Sequence, residues 1–246
     1  FVAFAVLFYR NLRYRRYLVG YKRGKYNFTD ILSLNKMGWM VGLQMGLETA
    51  LFSITGIMIG WLGSIALAAH QVMVAISTLG FMIYYGVGAA VSVRVSNYFG
   101  RQDLLHVRRT TMAGFHLILC LAVCACTVFL FSRELIGYLF TTSEEVIRVV
   151  STLVYILLAY QFGDALQITY ANSLRGIGDV ISMAVISFIG YFLIAMPVCY
   201  ICGFVLEWGI TGIWIGYPIG LTLTGVMLCG RYYWKLKTKT QSKEFY

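Results

Sequence analysis

From Met37 onward the chain alternates between long apolar runs and short polar breaks. Six runs stand out, at 37–62, 67–93, 111–131, 147–171, 181–205 and 209–230. Each is near or above the roughly 20 apolar residues with which a helix crosses a bilayer. The second is long, and a helix of that length must tilt or protrude. Membrane strands run to about 10 residues and alternate in polarity; these runs are too long and too uniformly apolar for that. A backbone in hydrocarbon must satisfy its own hydrogen bonds, so the pattern predicts an all-α integral membrane protein, a six-helix transmembrane bundle. Pro197 and Pro218 fall inside runs, where kinks are tolerated. The 25 glycines suit close contact between helices.

The pattern divides the chain. Residues 1–8 read as the end of a truncated transmembrane helix and residues 9–36 as a basic loop. Residues 37–230 form the six-helix lobe, and 231–246 a polar tail. The opening FVAFAVLFYRNLRYRR puts its apolar residues before its arginines, the reverse of a signal peptide.

Composition agrees with a membrane protein. Of 246 residues, 59% are hydrophobic and only 12% charged, too few charges for an ordinary soluble domain. The net charge of +10 could suggest nucleic acid as a partner, but no basic, aromatic-studded domain remains outside the apolar runs. The basic residues instead report orientation. With residues 1–36 placed in the cytoplasm, 18 Lys and Arg fall on that side and only Arg133 and Arg148 on the other. Six crossings return the C-terminus to the cytoplasm as well. The expected location is the inner (plasma) membrane, with the lipid bilayer as the surrounding partner.

Two of the ten acidic residues lie well inside runs: Glu48 and Asp164. An ionisable side chain there costs about 2.5–3.5 kcal/mol on insertion scales, so it faces a bundle interior or a wet cavity and marks an ion or substrate path. Glu48 is 12 residues past Lys36, and Asp164 is 11 residues before Arg175. At about 1.5 Å per residue, both sit roughly 17 Å from the cytoplasmic boundary. Two carboxylates on different helices thus share one level, where they could hold a cation such as Na⁺ together. Their neighbours extend a polar face. Tyr160, Gln161 and Gln167 lie one turn from Asp164, while Gln44 and Phe52 lie one turn from Glu48, with Thr55 beyond. Such a stripe fits a cavity for organic molecules. The competing reading is two protonated or paired carboxyls that fasten helices.

Signs of an enzyme are missing. His70, His106 and His116 form no zinc motif, and neither a GxSxG nor a P-loop occurs. The six cysteines all lie in apolar runs, and Cys199-Tyr-Ile-Cys202 lacks a thioredoxin-like setting. No cofactor is expected beyond a coupling ion.

Several motifs occur in order. They are Glu48 within LQMGLETALF, the pair His70-Gln71, the run RVSNYFGR, and Asp164 followed by SLRGIGD. From about residue 30 the chain resembles the multidrug and toxic compound extrusion (MATE) family, its NorM-like branch in particular. The resemblance implies the C-terminal lobe of a twelve-helix MATE-type transporter, whose N-terminal lobe would be the partner. It implies export of small organic, often cationic, compounds in exchange for Na⁺ or H⁺. It assigns coupling-cation binding to Glu48, Tyr160 and Asp164, and places Phe52 and Gln71 on the cavity wall. Gln44, Gln161 and Gln167 join that wall by their place on the polar stripe. Two alternatives stay open: a related flippase of lipid-linked oligosaccharides, and a membrane scaffold that transports nothing. The flippase would need more cationic residues in its cavity, and a scaffold leaves the buried carboxylates without a use.

Overall fold

A computed structural model describes residue 6, residues 8–10 and residues 27–244, with side chains through residue 239. The expectations for residues 1–8 and for most of 9–36 therefore lie outside the described residues. The chain divides into two compact units, residues 1–39 and 40–246.

Helix α1 (Phe28–Gly60) starts in the first unit and runs on as residues 40–60 of the second; it begins nine residues before the apolar run, so residues 28–36 are helical where the sequence predicts a loop. The reason is a cap. The Asn27 side chain accepts a hydrogen bond from the Thr29 N–H at 3.2 Å, and Asp30 sits in the first turn, where the helix dipole favours negative charge.

Besides residues 40–60 of α1, the second unit holds six further helices among the described residues. They are α2 (Ser64–Gly100), α3 (Leu104–Phe131), the short α4 (Arg133–Phe140), α5 (Glu144–Gly176), α6 (Val180–Val205) and α7 (Gly209–Glu244). Six of the helices are long and apolar enough to cross a membrane, as the six runs predict. Most overrun their apolar runs. The runs measure the hydrocarbon layer, whereas helical hydrogen bonding continues through flanking residues such as Arg94, Arg108 and Arg231. Helix α4 has no counterpart in the sequence reading. It buries only Ile136 and Gly137 and leaves Leu135, Tyr138 and Leu139 exposed.

Helix α5 is central and packs on α7, α2 and α3. Half of its apolar window is buried, against 17% for α3, so α5 carries the core and α3 borders it. The core is layered along α5. At one end Leu153, Leu157, Trp214 and Tyr217 pack with Leu51 and Met73. At the other, Tyr170 and Leu174 pack with Val95, Met183 and Tyr232. Between them, residues 161–167 of α5 bring Gln161, Asp164 and Gln167, all buried, into the middle of the bundle.

Helices α6 and α7 touch through small residues. Gly212, Gly216 and Gly220 of α7, spaced one turn apart, face Cys202, Cys199 and Ala195 of α6 so closely that a Cβ would collide. This small-xxx-small stripe brings the two backbones together. Helix α6 is itself irregular. Residues Ile189–Ala195 form a π-helical stretch just before Pro197, and the Met196 N–H bonds to the Tyr191 carbonyl, five residues back. A proline ring crowds the carbonyl four residues before it and donates nothing, so a wider turn relieves the conflict.

Two connections share one design. Helix α5 ends in a Schellman turn: Gly178 N–H bonds to Arg175 O, Asp179 N–H bonds to Leu174 O, and Gly178 takes φ +77°. Helix α2 ends identically, with Gln102 N–H to Phe99 O and Asp103 N–H to Tyr98 O, but Gln102 takes the left-handed position at φ +58°. In both, an Asp then opens the next helix. The motifs GRQD and GIGD are thus one turn written twice.

Candidate functional site

The middle layer surrounds a cavity of about 260 Å³ between α1, α2 and α5. Glu48, Phe52 and Tyr160 line it, with Ser77, Thr78 and Phe81 opposite on α2. Polar groups sit among apolar walls, the general form of a small-molecule site.

Glu48 is half-buried at the edge of this cavity, and three side chains hold its Oε2. Gln44 Nε2 donates at 3.3 Å, the Tyr191 hydroxyl at 3.4 Å and Gln167 Nε2 at 3.5 Å. Gln167 also donates to the Tyr191 hydroxyl. All three bonds to the carboxylate are at the long end of the normal range. A small displacement would free its oxygens for another partner.

Asp164 is different. It is wholly buried, and neither carboxylate oxygen has a hydrogen-bond partner among the described residues. No hydrogen bond joins it to Glu48 among the described residues; Tyr160, one turn before it on α5, lines the cavity that Glu48 borders. Buried polar groups are paired in more than nine cases in ten, so an orphaned carboxylate points to an absent partner. Gln161 lies one turn away with both amide atoms unpartnered, facing Gly80 of α2. Carboxylate, phenol and amide oxygens are donors that suit a hard cation such as Na⁺.

The structure therefore brings Glu48, Phe52 and Tyr160 to one cavity, with Gln44 and Gln167 on Glu48. Asp164 and Gln161 lie behind that wall, buried. Phe52 stacks on Tyr217 at 4.8 Å, and the Tyr217 hydroxyl meets Thr55. Gln71 does not reach the cavity: it is on the exposed face of α2, and its neighbour His70 is the buried one, edge-on to Trp214 at 5.7 Å. Adjacent residues on a helix point about 100° apart, so only one of the pair can face inward.

Two residues in contact with this network escaped the sequence reading. Tyr191 sits in the π stretch of α6, and its one signal was a hydroxyl within an apolar run beside Gly190. In the sequence Arg175 serves as an orientation charge, as the boundary that sets the depth of Asp164 and as part of SLRGIGD, with no sign of a contact to Gln44. It lies 11 residues after Asp164, three turns along the same face of α5.

Outside the layer, Asp179 and Asp103 are paired. Burial pushes the Asp179 carboxyl up, but hydrogen bonds from Arg231 and Ser182 outweigh it and hold the group below the usual carboxylate range. The backbone N–H of His106 does the same for Asp103 at the start of α3.

A polytopic helical bundle with a cavity in its middle layer, a carboxylate at its edge and another buried behind its wall belongs with transporters rather than enzymes. The comparisons name the group. The MatE family profile matches residues 41–201, and the chain belongs to that family. It is 34% identical over 220 residues to the multidrug resistance protein NorM of Photobacterium profundum, covering 87% of this chain and 47% of that protein. The NorM of Vibrio cholerae is 33% identical over 214 residues, covering 85% and 47%. The chain spans about half the length of these curated relatives and matches their C-terminal half. The crystal structure of the eukaryotic MATE transporter AtDTX14 superposes with a TM-score of 0.78 at 20% identity, over 88% of this chain and 51% of that one.

Proposed function

We propose that this chain is the C-terminal lobe of a cation-coupled antiporter that exports organic, often cationic, compounds by alternating access. The observation that carries the reading is the pair of carboxylates in the middle layer. Glu48 faces the cavity under weak restraint, while Asp164 is buried without a partner. Na⁺ or H⁺ entering this layer satisfies Asp164 and competes for Glu48. A cationic substrate in the cavity needs the same negative charge, and Phe52 and Phe81 supply faces for it. Cation and substrate thus oppose each other, which is the condition for exchange.

Alternating access has its own support. The lobe superposes with TM-scores of 0.77 and 0.75 on outward-facing and inward-facing conformations of a multidrug resistance MATE family transporter. Nearly equal agreement with both favours a lobe that moves as a body against a partner lobe. In this reading the protein resides in the inner (plasma) membrane with its C-terminus in the cytoplasm.

The test is efflux by the complete transporter in vesicles, with Na⁺ and pH gradients imposed separately. One gradient should drive export, and Asp164→Asn should reduce that export to background. Normal, gradient-dependent efflux in the Asn variant would sink the coupling role.

A further inference from the structure

The hydrogen bonds around Glu48 continue beyond the middle layer. Arg175 Nη2 donates to Gln44 Oε1 at 3.4 Å, and Gln44 in turn donates to Glu48. Arg175 Nη1 donates to Asn172 Oδ1 at 3.2 Å and to the Tyr85 hydroxyl at 3.4 Å. A single guanidinium thus ties α1, α2 and α5 together at one point. Between it and the carboxylate lies a void of about 20 Å³, lined by Gln44, Glu48, Tyr85, Gln167, Asn172 and Arg175 among others. That is room for about one water. It is a narrow thread, polar on one side and walled by Met45, Phe81, Ile168 and Ala171 on the other, leading from the middle layer towards the α5–α6 end of the bundle, and Arg175 stands at its end.

We propose that Arg175 is the plug of this passage, and that its positive charge bars the coupling cation from crossing between Glu48 and the α5–α6 end. The proposal rests on the antiporter reading. A guanidinium is always charged, so it repels a cation at every pH the protein meets. The fork, with two terminal nitrogens set apart, reaches Gln44 of α1 from one and Tyr85 of α2 and Asn172 of α5 from the other, a spread that lysine's single nitrogen does not have. Each bond is long, so a shift of α1 or α2 opens the thread by breaking weak contacts rather than strong ones. An exchanger needs this property: its ion must not leak when no substrate moves.

Charge and clamping can be separated. The complete transporter is placed in liposomes, with a Na⁺ indicator or a pH dye inside and no substrate present. Arg175→Gln, or Arg175→Met should the Gln variant insert poorly, should leak the coupling cation at least about tenfold faster than wild type. Arg175→Lys keeps the charge without the fork and should stay tight. The double variant Glu48→Gln, Arg175→Gln should return to the wild-type rate, because the thread no longer starts at a carboxylate. A tight Gln variant overturns the plug. So does a Lys variant that leaks like Gln, or a double variant that leaks like the single. Exchange is measured on the wild type in the same vesicles. Its absence with both Na⁺ and H⁺ overturns the antiport reading, whereas exchange in wild type without leak in the variants overturns the plug alone.

Discussion

Asp164 and Asp179 are 15 residues apart, and both are nearly enclosed. Their surroundings are opposite. Asp179, at the α5–α6 turn, accepts from Arg231 Nε and Ser182 Oγ, each at 2.8 Å, with Lys235 at 4.0 Å. Asp164, about three turns before the end of α5, has no hydrogen-bond partner among the described residues. A carboxylate that serves the fold collects donors, because leaving it bare costs stability. A bare one in the middle of a bundle lowers stability, and something other than the fold must account for it. The contrast sets an acid that is clasped by donors against one that the described fold leaves without any, and the proposed coupling role of Asp164 rests on that difference.

The largest effect that could break this contrast is the one on transport. Asp164→Asn should abolish cation-driven efflux while the protein inserts normally and melts no earlier than wild type, since a buried unpaired acid is being replaced by a neutral amide. A melting temperature that falls along with activity would make Asp164 a fastener and erase the distinction.

The opposite pattern is expected at Asp179. Asp179→Asn should cost about 1.5–3 kcal/mol, the range for hydrogen bonds to charged groups. Exchange per folded molecule should be kept. The effect should also depend on pH. The native pKa of Asp179 is depressed, so its contribution is complete above the unfolded value of about 3.9 and fades as pH falls through the lower native value. Wild type and variant should therefore converge in stability below about pH 4. Thermal unfolding in detergent across that range measures it, and a constant gap would mean that the Arg231 clasp is not the cause.

Tyr191 tests how finely Glu48 is held. Tyr191→Phe removes one of three donors to the carboxylate and leaves the ring in place. A loss of about 1 kcal/mol corresponds to a several-fold change in apparent cation affinity. Maximal efflux should change little. An unchanged cation dependence would remove Tyr191 from the network that Gln44 and Gln167 also form.

These expectations show what could be read from the chain and what could not. The six crossings were legible because a bilayer imposes one length on every apolar run. The depth of Glu48 and Asp164 was legible because charge in such runs is rare and helical rise is constant. Contacts across helices were not, since they depend on rotation and on approach. Gln71 and His70 differ only by one step of rotation, and the family pattern marks both. Tyr191 reaches Glu48 from a π stretch, whose wider turn breaks the usual 3.6-residue count. The start of α1 at Phe28 and the short α4 were missed for a simpler reason. Hydropathy follows hydrocarbon, whereas the Asn27 cap and the eight residues of α4 lie beyond the apolar runs.

The smallest effect concerns the paired turns that close α2 and α5. Both need a residue with positive φ at the position after the helix cap, and one uses Gly178 while the other uses Gln102. A side chain there crowds the backbone, a strain of about 1–2 kcal/mol, whereas glycine bears none but is freer in the unfolded chain. The two effects partly cancel. Gln102→Gly should therefore raise stability by only about 0.5–1 kcal/mol. The reciprocal change is the sharper control. A Cβ at Gly178 would meet open space, so Gly178→Gln adds strain without collision and should cost about the same amount. Equal and opposite shifts in thermal unfolding would establish that the turns are equivalent in backbone terms. A large loss at Gly178 alone would mean that the α5–α6 turn, which carries Arg175 before it and Asp179 after it, is held to a tighter geometry than its twin.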